Sequence, residues 1–180
     1  RDVERSRGLG DVYKRQEMDT VYSGKKKSTT ALLVLTERKT RNEKIILVPN
    51  RRAETTVRAL DAIERKLGAE KFGTIYKSIT VDNGTEFAMA DEIERSCLID
   101  GQRTKVYYCH PYSSWERGSN ENVNGMIRRK HPKGTDFSKV TPEEIAATEA
   151  WINNYPRKIH GYKSAAAMFR QCLRELGLTA

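Results

Sequence analysis

The 180-residue chain has few cysteines: Cys97, Cys109 and Cys172 stand far apart, with no C-x-x-C among them. That spacing excludes a zinc knuckle and a disulfide framework, and reads as reduced thiols of a cytoplasmic protein. Long apolar runs are missing as well. The longest, ALLVL at 31–35, falls far short of the ~20 residues that a membrane helix needs. No membrane partner is expected. The chain opens on Arg1 with no apolar stretch of signal-peptide length, and it is expected to be a fragment. Internal repeats and low-complexity segments are absent too.

Charge is abundant, and mostly of one sign. Lys and Arg outnumber Asp and Glu by 33 to 24, a net +9, with an isoelectric point near 9.5 and a mean hydropathy of −0.72. A chain of this length hides roughly 70% of its unfolded surface and can build a real core. The excess of positive charge points to a polyanionic partner.

Periodicity orders the chain. Residues 1–16, polar and basic, show no period and read as a flexible, non-native leader; 17–180 read as one domain. EMDTVYS at 17–23, TTALLVLTER at 29–38 and EKIILV at 43–48 alternate or are β-branched, which predicts three strands of a meander. Residues 51–67 change period: Ala53, Val57, Leu60, Ile63 and Leu67 form one stripe, stopped by Gly68. Strands are predicted over 75–81 and 104–109, a short helix over 86–96, and helices over 120–130, from Thr141-Pro142 to Tyr155, and over 164–176. The pattern predicts an α/β fold, a five-stranded mixed sheet flanked by helices.

Three acids are placed where secondary structure can aim them at one point. Asp19 lies in the first strand, Asp82 ends the fourth before Asn83-Gly84, and Glu121 opens the helix after a polar, aromatic loop at 111–119. Gathered carboxylates repel one another, and one takes up a proton unless a cation intervenes. Magnesium or manganese prefers such oxygen ligands, and two ions ~3.5–4 Å apart can bind both the attacking and the leaving oxygen of a phosphodiester. Glu121, Asn124 and Arg128 recur at i, i+3 and i+7 on one helix face. Around them Arg117, Arg128, Arg129, Lys130 and Lys133 face a single acid, which suits a phosphate backbone. Tyr112 and Trp115 are candidates for stacking on bases.

EMDT, TVDNGTEFA and HPYSSWERGSNENVNGMIRRKHPKGTDF resemble the catalytic core of bacterial transposases of the insertion-sequence-thirty family, and more broadly the DDE transposase and retroviral-integrase superfamily. The resemblance runs from about Glu17 to Phe169. It implies a ribonuclease-H-like fold and a centre of two Mg2+ (or Mn2+) ions on Asp19, Asp82 and Glu121. It also implies cleavage at transposon ends, then attack of the freed 3′-hydroxyl on target DNA. Asn124, Arg128, Arg129, Lys130, Arg117, Tyr112 and Trp115 are then DNA-contacting residues. The partners implied are transposon-end and target DNA, with a homo-oligomer assembling on that DNA in the bacterial cytoplasm, associated with the nucleoid.

Glu116, 34 residues after Asp82, competes with Glu121 for the third place; Glu121 is preferred because Gly118, Glu121 and Asn124 satisfy G-x-x-E-x-x-N. The family carries an N-terminal helix-turn-helix region that residues 1–16 do not match, so sequence-specific reading of transposon ends is not expected of this polypeptide. Two alternatives remain: a related nuclease without strand transfer, and a silent remnant that binds nucleic acid nonspecifically.

Overall fold

The computed structural model describes residues 15–24, 27–109 and 118–178, and for 118–120 the backbone alone. Five strands form one mixed sheet in the order β3-β2-β1-β4-β5. The strands are β1 (Arg15–Tyr22), β2 (Ala31–Glu37), β3 (Glu43–Val48), β4 (Ser78–Val81) and β5 (Lys105–Tyr108). β1, β2 and β3 pair antiparallel as a meander, while β1 with β4 and β4 with β5 pair parallel. A parallel pair needs a crossover. Between β3 and β4 it is supplied by α1 (Ala53–Leu67) and α2 (Ala69–Ile75). The remaining helices are α3 (Ala90–Glu94), α4 (Gly118–Lys130), α5 (Pro142–Asn154) and α6 (Ala165–Glu175).

The continuous apolar run of β2 arises because both faces of the sheet are covered. Leu33 and Leu35 point to one core, with Met18, Leu60, Phe72, Ile79 and Phe87. Leu32 and Val34 point to the other, with Val21, Val123, Ile127, Phe137 and Ile152. Helix α5 starts as predicted, with the Thr141 side chain and Glu144 forming a reciprocal capping box and Pro142 in the first turn.

Four departures from the sequence reading bear on the fold. β1 begins at Arg15, so Arg15 and Gln16 belong to the sheet and not to the leader. Gly68, at φ 83°, ends α1 but also opens α2, which the periodicity did not reveal. β4 therefore starts at Ser78, because Ile75 completes α2 and Tyr76 stacks on Phe72 at 4.7 Å. The helix expected over 86–96 shortens to α3, because Thr85–Phe87 form a separate 3-10 turn.

Two buried charged networks brace the fold. Arg103 Nη1 donates to Asp61 Oδ1 at 2.6 Å and to Glu64 Oε2 at 3.0 Å, tying the strand-side loop to α1. Burial pushes the Glu64 carboxyl up, but the Cys97 N–H, the Ser96 hydroxyl and Arg103 outweigh it and hold it below its usual range. On the opposite face Glu43 is buried, accepts from the Thr36 hydroxyl at 2.6 Å, and is clamped on both backbone sides by Asn153. Burial, countered in part by Thr36 and Arg157, pushes its carboxyl from an ordinary 4.5 to about 8.

Both networks make predictions. Arg103→Leu strands two buried carboxylates and should lower stability by about 3–5 kcal/mol, read from denaturant unfolding. Folded Glu43 retains a proton that the unfolded chain gives up, so stability should fall as pH rises from 4.5 to about 8. Glu43→Gln should remove roughly a few kcal/mol of that slope in unfolding midpoints measured across the same window.

Candidate active site

The parallel register of β1 with β4 is Arg15↔Ser78, Gln16↔Ile79, Glu17↔Thr80. Carried on by two residues, it sets Asp19 beside Asp82, on strands ~4.8 Å apart. Both aspartates are half-buried. Side chains alternate along β1, so Asp19 shares its face with Val21, the face covered by α4 and α5. The Thr20 N–H donates to Asp19 Oδ1 at 2.8 Å, and Asn124 Nδ2 on α4 donates to Asp19 Oδ2 at 3.0 Å. Asp82 caps its own turn, accepting from the Gly84 N–H at 2.8 Å. Asn83-Gly84 thus does what the sequence asked of it, turning the chain while keeping a carboxylate at the strand end.

Helix α4 carries Glu121, the acid expected in the third place. Glu121 lies one turn before Asn124, on the face that reaches Asp19, and is exposed. Asp19 and Asp82 lie at one end of the sheet and Glu121 on the helix packed against β1, and the three do not close to the 4.8 Å mutual spacing of a metal cluster. Among the described residues the group that does is Asp61, Glu64 and Cys97. Its oxygens already hold a cation, the Arg103 guanidinium, and its third member is a thiol. Hard divalent ions prefer oxygen, so this group reads as structural.

The basic residues divide by role. Arg128, expected to touch DNA, is half-buried: Nη2 donates to the Tyr22 carbonyl at 3.0 Å, and Nη1 lies 3.4 and 3.5 Å from the Pro132 and His131 carbonyls. It ties the end of α4 to the end of β1. Lys130 Nζ stands 4.8 Å from the centre of the Trp151 ring on α5. Arg129 is exposed. His131 is buried against the Thr148 hydroxyl at 2.9 Å. Tyr112, Trp115, Arg117, Glu116 and His110 lie outside the described residues.

Sequence reasoning missed Glu86. It is buried, accepts from the Thr20 hydroxyl at 2.6 Å, and lies 3.8 Å from Arg51 Nη1. The one signal was an acid four residues after Asp82 in DNGTEF, lodged between a turn glycine and the apolar Phe87.

Comparison with known proteins follows this geometry. No family profile matches the chain. A Bacteroides fragilis transposase for insertion sequence element IS4351 is 46% identical over 105 residues, 58% of this chain and 31% of that protein. A probable transposase for the IS1161 element of Streptococcus salivarius is 38% identical over 85% of the chain and 40% of its own length. The Escherichia coli transposase InsI for IS30A is 36% identical over 91% of the chain and 39% of its own length. Among solved structures, the intasome of simian T-cell lymphotropic virus, in complex with a PP2A regulatory subunit, aligns at TM-score 0.64. It shares 17% identity, covering 87% of this chain and 54% of that one. That likeness establishes the fold as ribonuclease-H-like, of the integrase type. The chain spans about two fifths or less of the length of these curated relatives. Over that span it belongs to the insertion-sequence-thirty family of transposases.

Proposed function

We propose that this chain is the catalytic segment of a transposase that cuts DNA at element ends and transfers the freed 3′-hydroxyl into target DNA, using Asp19, Asp82 and Glu121. The observation that carries the reading is the junction of β1, β4 and α4. Register sets Asp19 beside Asp82, and Asn124 bonds Asp19 while offering Glu121 one turn away.

The donor set fits hard divalent ions, since all three acids present carboxylate oxygens. Asn124 adds to the fit. Its Nδ2 is bonded to Asp19, whereas its Oδ1 is buried with no hydrogen-bond partner. A buried orphan oxygen is costly unless something accepts its lone pairs, and a cation or a cation's water would. Magnesium or manganese held by Asp19, Asp82 and Glu121 would offset the charge of a phosphodiester and acidify an attacking water or hydroxyl.

The chain's own residues do the rest. Asn124 and the Thr20 N–H fix the two Asp19 oxygens, so that carboxylate enters the reaction with its orientation set. The Gly84 N–H does the same for Asp82. Arg128 holds the end of β1 against α4, the helix that carries Glu121. Arg129 and the net positive charge supply attraction to the DNA backbone, which is steered and salt-sensitive. The segment works in the bacterial cytoplasm, in a homo-oligomer assembled on DNA.

Asp82→Asn and Glu121→Gln should each slow cleavage of a labelled duplex in Mn2+ on the order of a thousandfold or more, the loss of several kcal/mol of transition-state stabilisation. DNA binding at fixed salt should hold or tighten, because one repulsive charge is gone. Near-normal cutting by Asp82→Asn removes that residue from the site. A pre-cut 3′ end that is never joined to target reduces the protein to a nuclease.

A further inference from the structure

We infer that Glu86 is a positioning residue for the proposed centre, coupling both aspartates and strengthening their hold on divalent cations. The inference rests on the reading above and extends it to a fourth acid.

Glu86 sits in the Thr85–Phe87 turn, pinned from below by the fully buried Phe87, whose carbonyl accepts from the Tyr108 hydroxyl at 2.6 Å. Its two oxygens face different ways. Oε1 takes the Thr20 hydroxyl, and Thr20 in turn gives its N–H to Asp19. Oε2 stands 2.8 Å from the point where a Cβ on Gly84 would be, and Asp82 Oδ1 stands 2.8 Å from that same point. Glu86 therefore reaches Asp19 through one residue and shares with Asp82 the space that a missing side chain leaves open.

That space explains Gly84. Its φ of −62° and ψ of 144° are open to any residue, so the backbone does not require glycine. The two carboxylates favour it, since a methyl group would make both side-chain ends shift. Arg51 completes the arrangement. Its guanidinium lies 3.8 Å from Glu86 Oε1 and 4.7 Å from the centre of the Tyr22 ring, with its side chain 46% exposed. The result is a bonded row from Asp19 through Thr20 to Glu86, with Asp82 on the other side of the open space at Gly84 and a cation at the rim. A fixed anion close to the two proposed ligand carboxylates raises their affinity for a cation, and the Thr20 bond fixes where that anion stands.

The test titrates Mn2+ into the full 180-residue chain without DNA, following free Mn2+ by electron paramagnetic resonance. Glu86→Gln keeps an oxygen for Thr20 but loses the charge, and Mn2+ affinity should fall about tenfold. The metal-free thermal midpoint should stay within ~3 °C. Gly84→Ala removes no acid and suits the backbone, yet it should weaken Mn2+ binding as well. Asp82→Asn is the reference. Where Asp82→Asn loses binding while Glu86→Gln and Gly84→Ala both bind as wild type, the role of Glu86 is overturned and the site reading stands. Where Asp82→Asn also binds as wild type, the site reading itself falls. Should Glu86→Gln unfold, Gly84→Ala alone decides, because it leaves every acid in place.

Discussion

The parallel pairing of β1 with β4 at the centre of the sheet is the contact on which the rest depends. β1 is antiparallel to β2 on one side and parallel to β4 on the other, so it is where the meander meets the crossover half of the fold. Because β1 and β4 run the same way, their carboxyl-terminal ends come out together, and residues 19 and 82 become neighbours although α1, α2 and two strands intervene. The crossover that parallel pairing demands also covers one face with α1 and α2, leaving the other to α4 and α5. A one-residue slip in that register would turn Asp19 away from α4 and bring Met18 out of its core.

Helix α4 is held to this junction by polar contacts at points along one face. Val123, Met126 and Ile127 bury its apolar side, while Asn124 and Arg128 reach β1 at Asp19 and at the Tyr22 carbonyl. The i, i+3, i+7 spacing that marked Glu121, Asn124 and Arg128 in the sequence is thus a seam along β1. Arg128 was expected on DNA because it follows Glu121 and Asn124 on one helix face. Arg128 also bonds the Tyr22 carbonyl, a contact that only the fold shows, whereas Arg129, at the next position, is exposed. A run of like charge on a helix necessarily points in several directions, and only the partner elements decide which of its members stays in solvent.

Much of the fold was legible because its signals are local. The β-branched runs of β2 and β3, the α1 stripe with its glycine stop, and the Thr141-Pro142 start of α5 each need only neighbouring residues. Helix α2 was not legible, since Gly68 serves as the end of one helix and the start of the next and Phe72 is its one fully buried anchor. Asp19, Asp82 and Glu121 were legible as a pattern, but the means of their support was not. Asn124's bond to Asp19 spans 105 residues, and Glu86's bond to Thr20 spans 66. No window along the chain contains both ends of either bond. Glu86 looked like part of a short helix because only the fold shows that its hydrogen-bond partner is on another strand.

Closeness of acids is a poor guide to which of them handle metal. Asp61, Glu64 and Cys97 are packed tightly enough to serve as ligands, yet Arg103 threads between the two carboxylates, and Ser96 and the Cys97 N–H complete the satisfaction of Glu64. An ion entering there would have to displace a buried guanidinium and leave it uncompensated, a cost of several kcal/mol that no third-ligand thiol repays for a hard cation. At both places a buried atom is left over: beside Asp61 and Glu64 it is a donor, Arg103 Nη2, and at the β1–β4 junction it is an acceptor, Asn124 Oδ1. The amide nitrogen of Asn124 is used and its oxygen is not, so the second half of a buried polar group still looks for a positive partner. An acceptor left open beside Asp19, and not short distances between carboxylates, is the feature of this junction that a positive partner would satisfy.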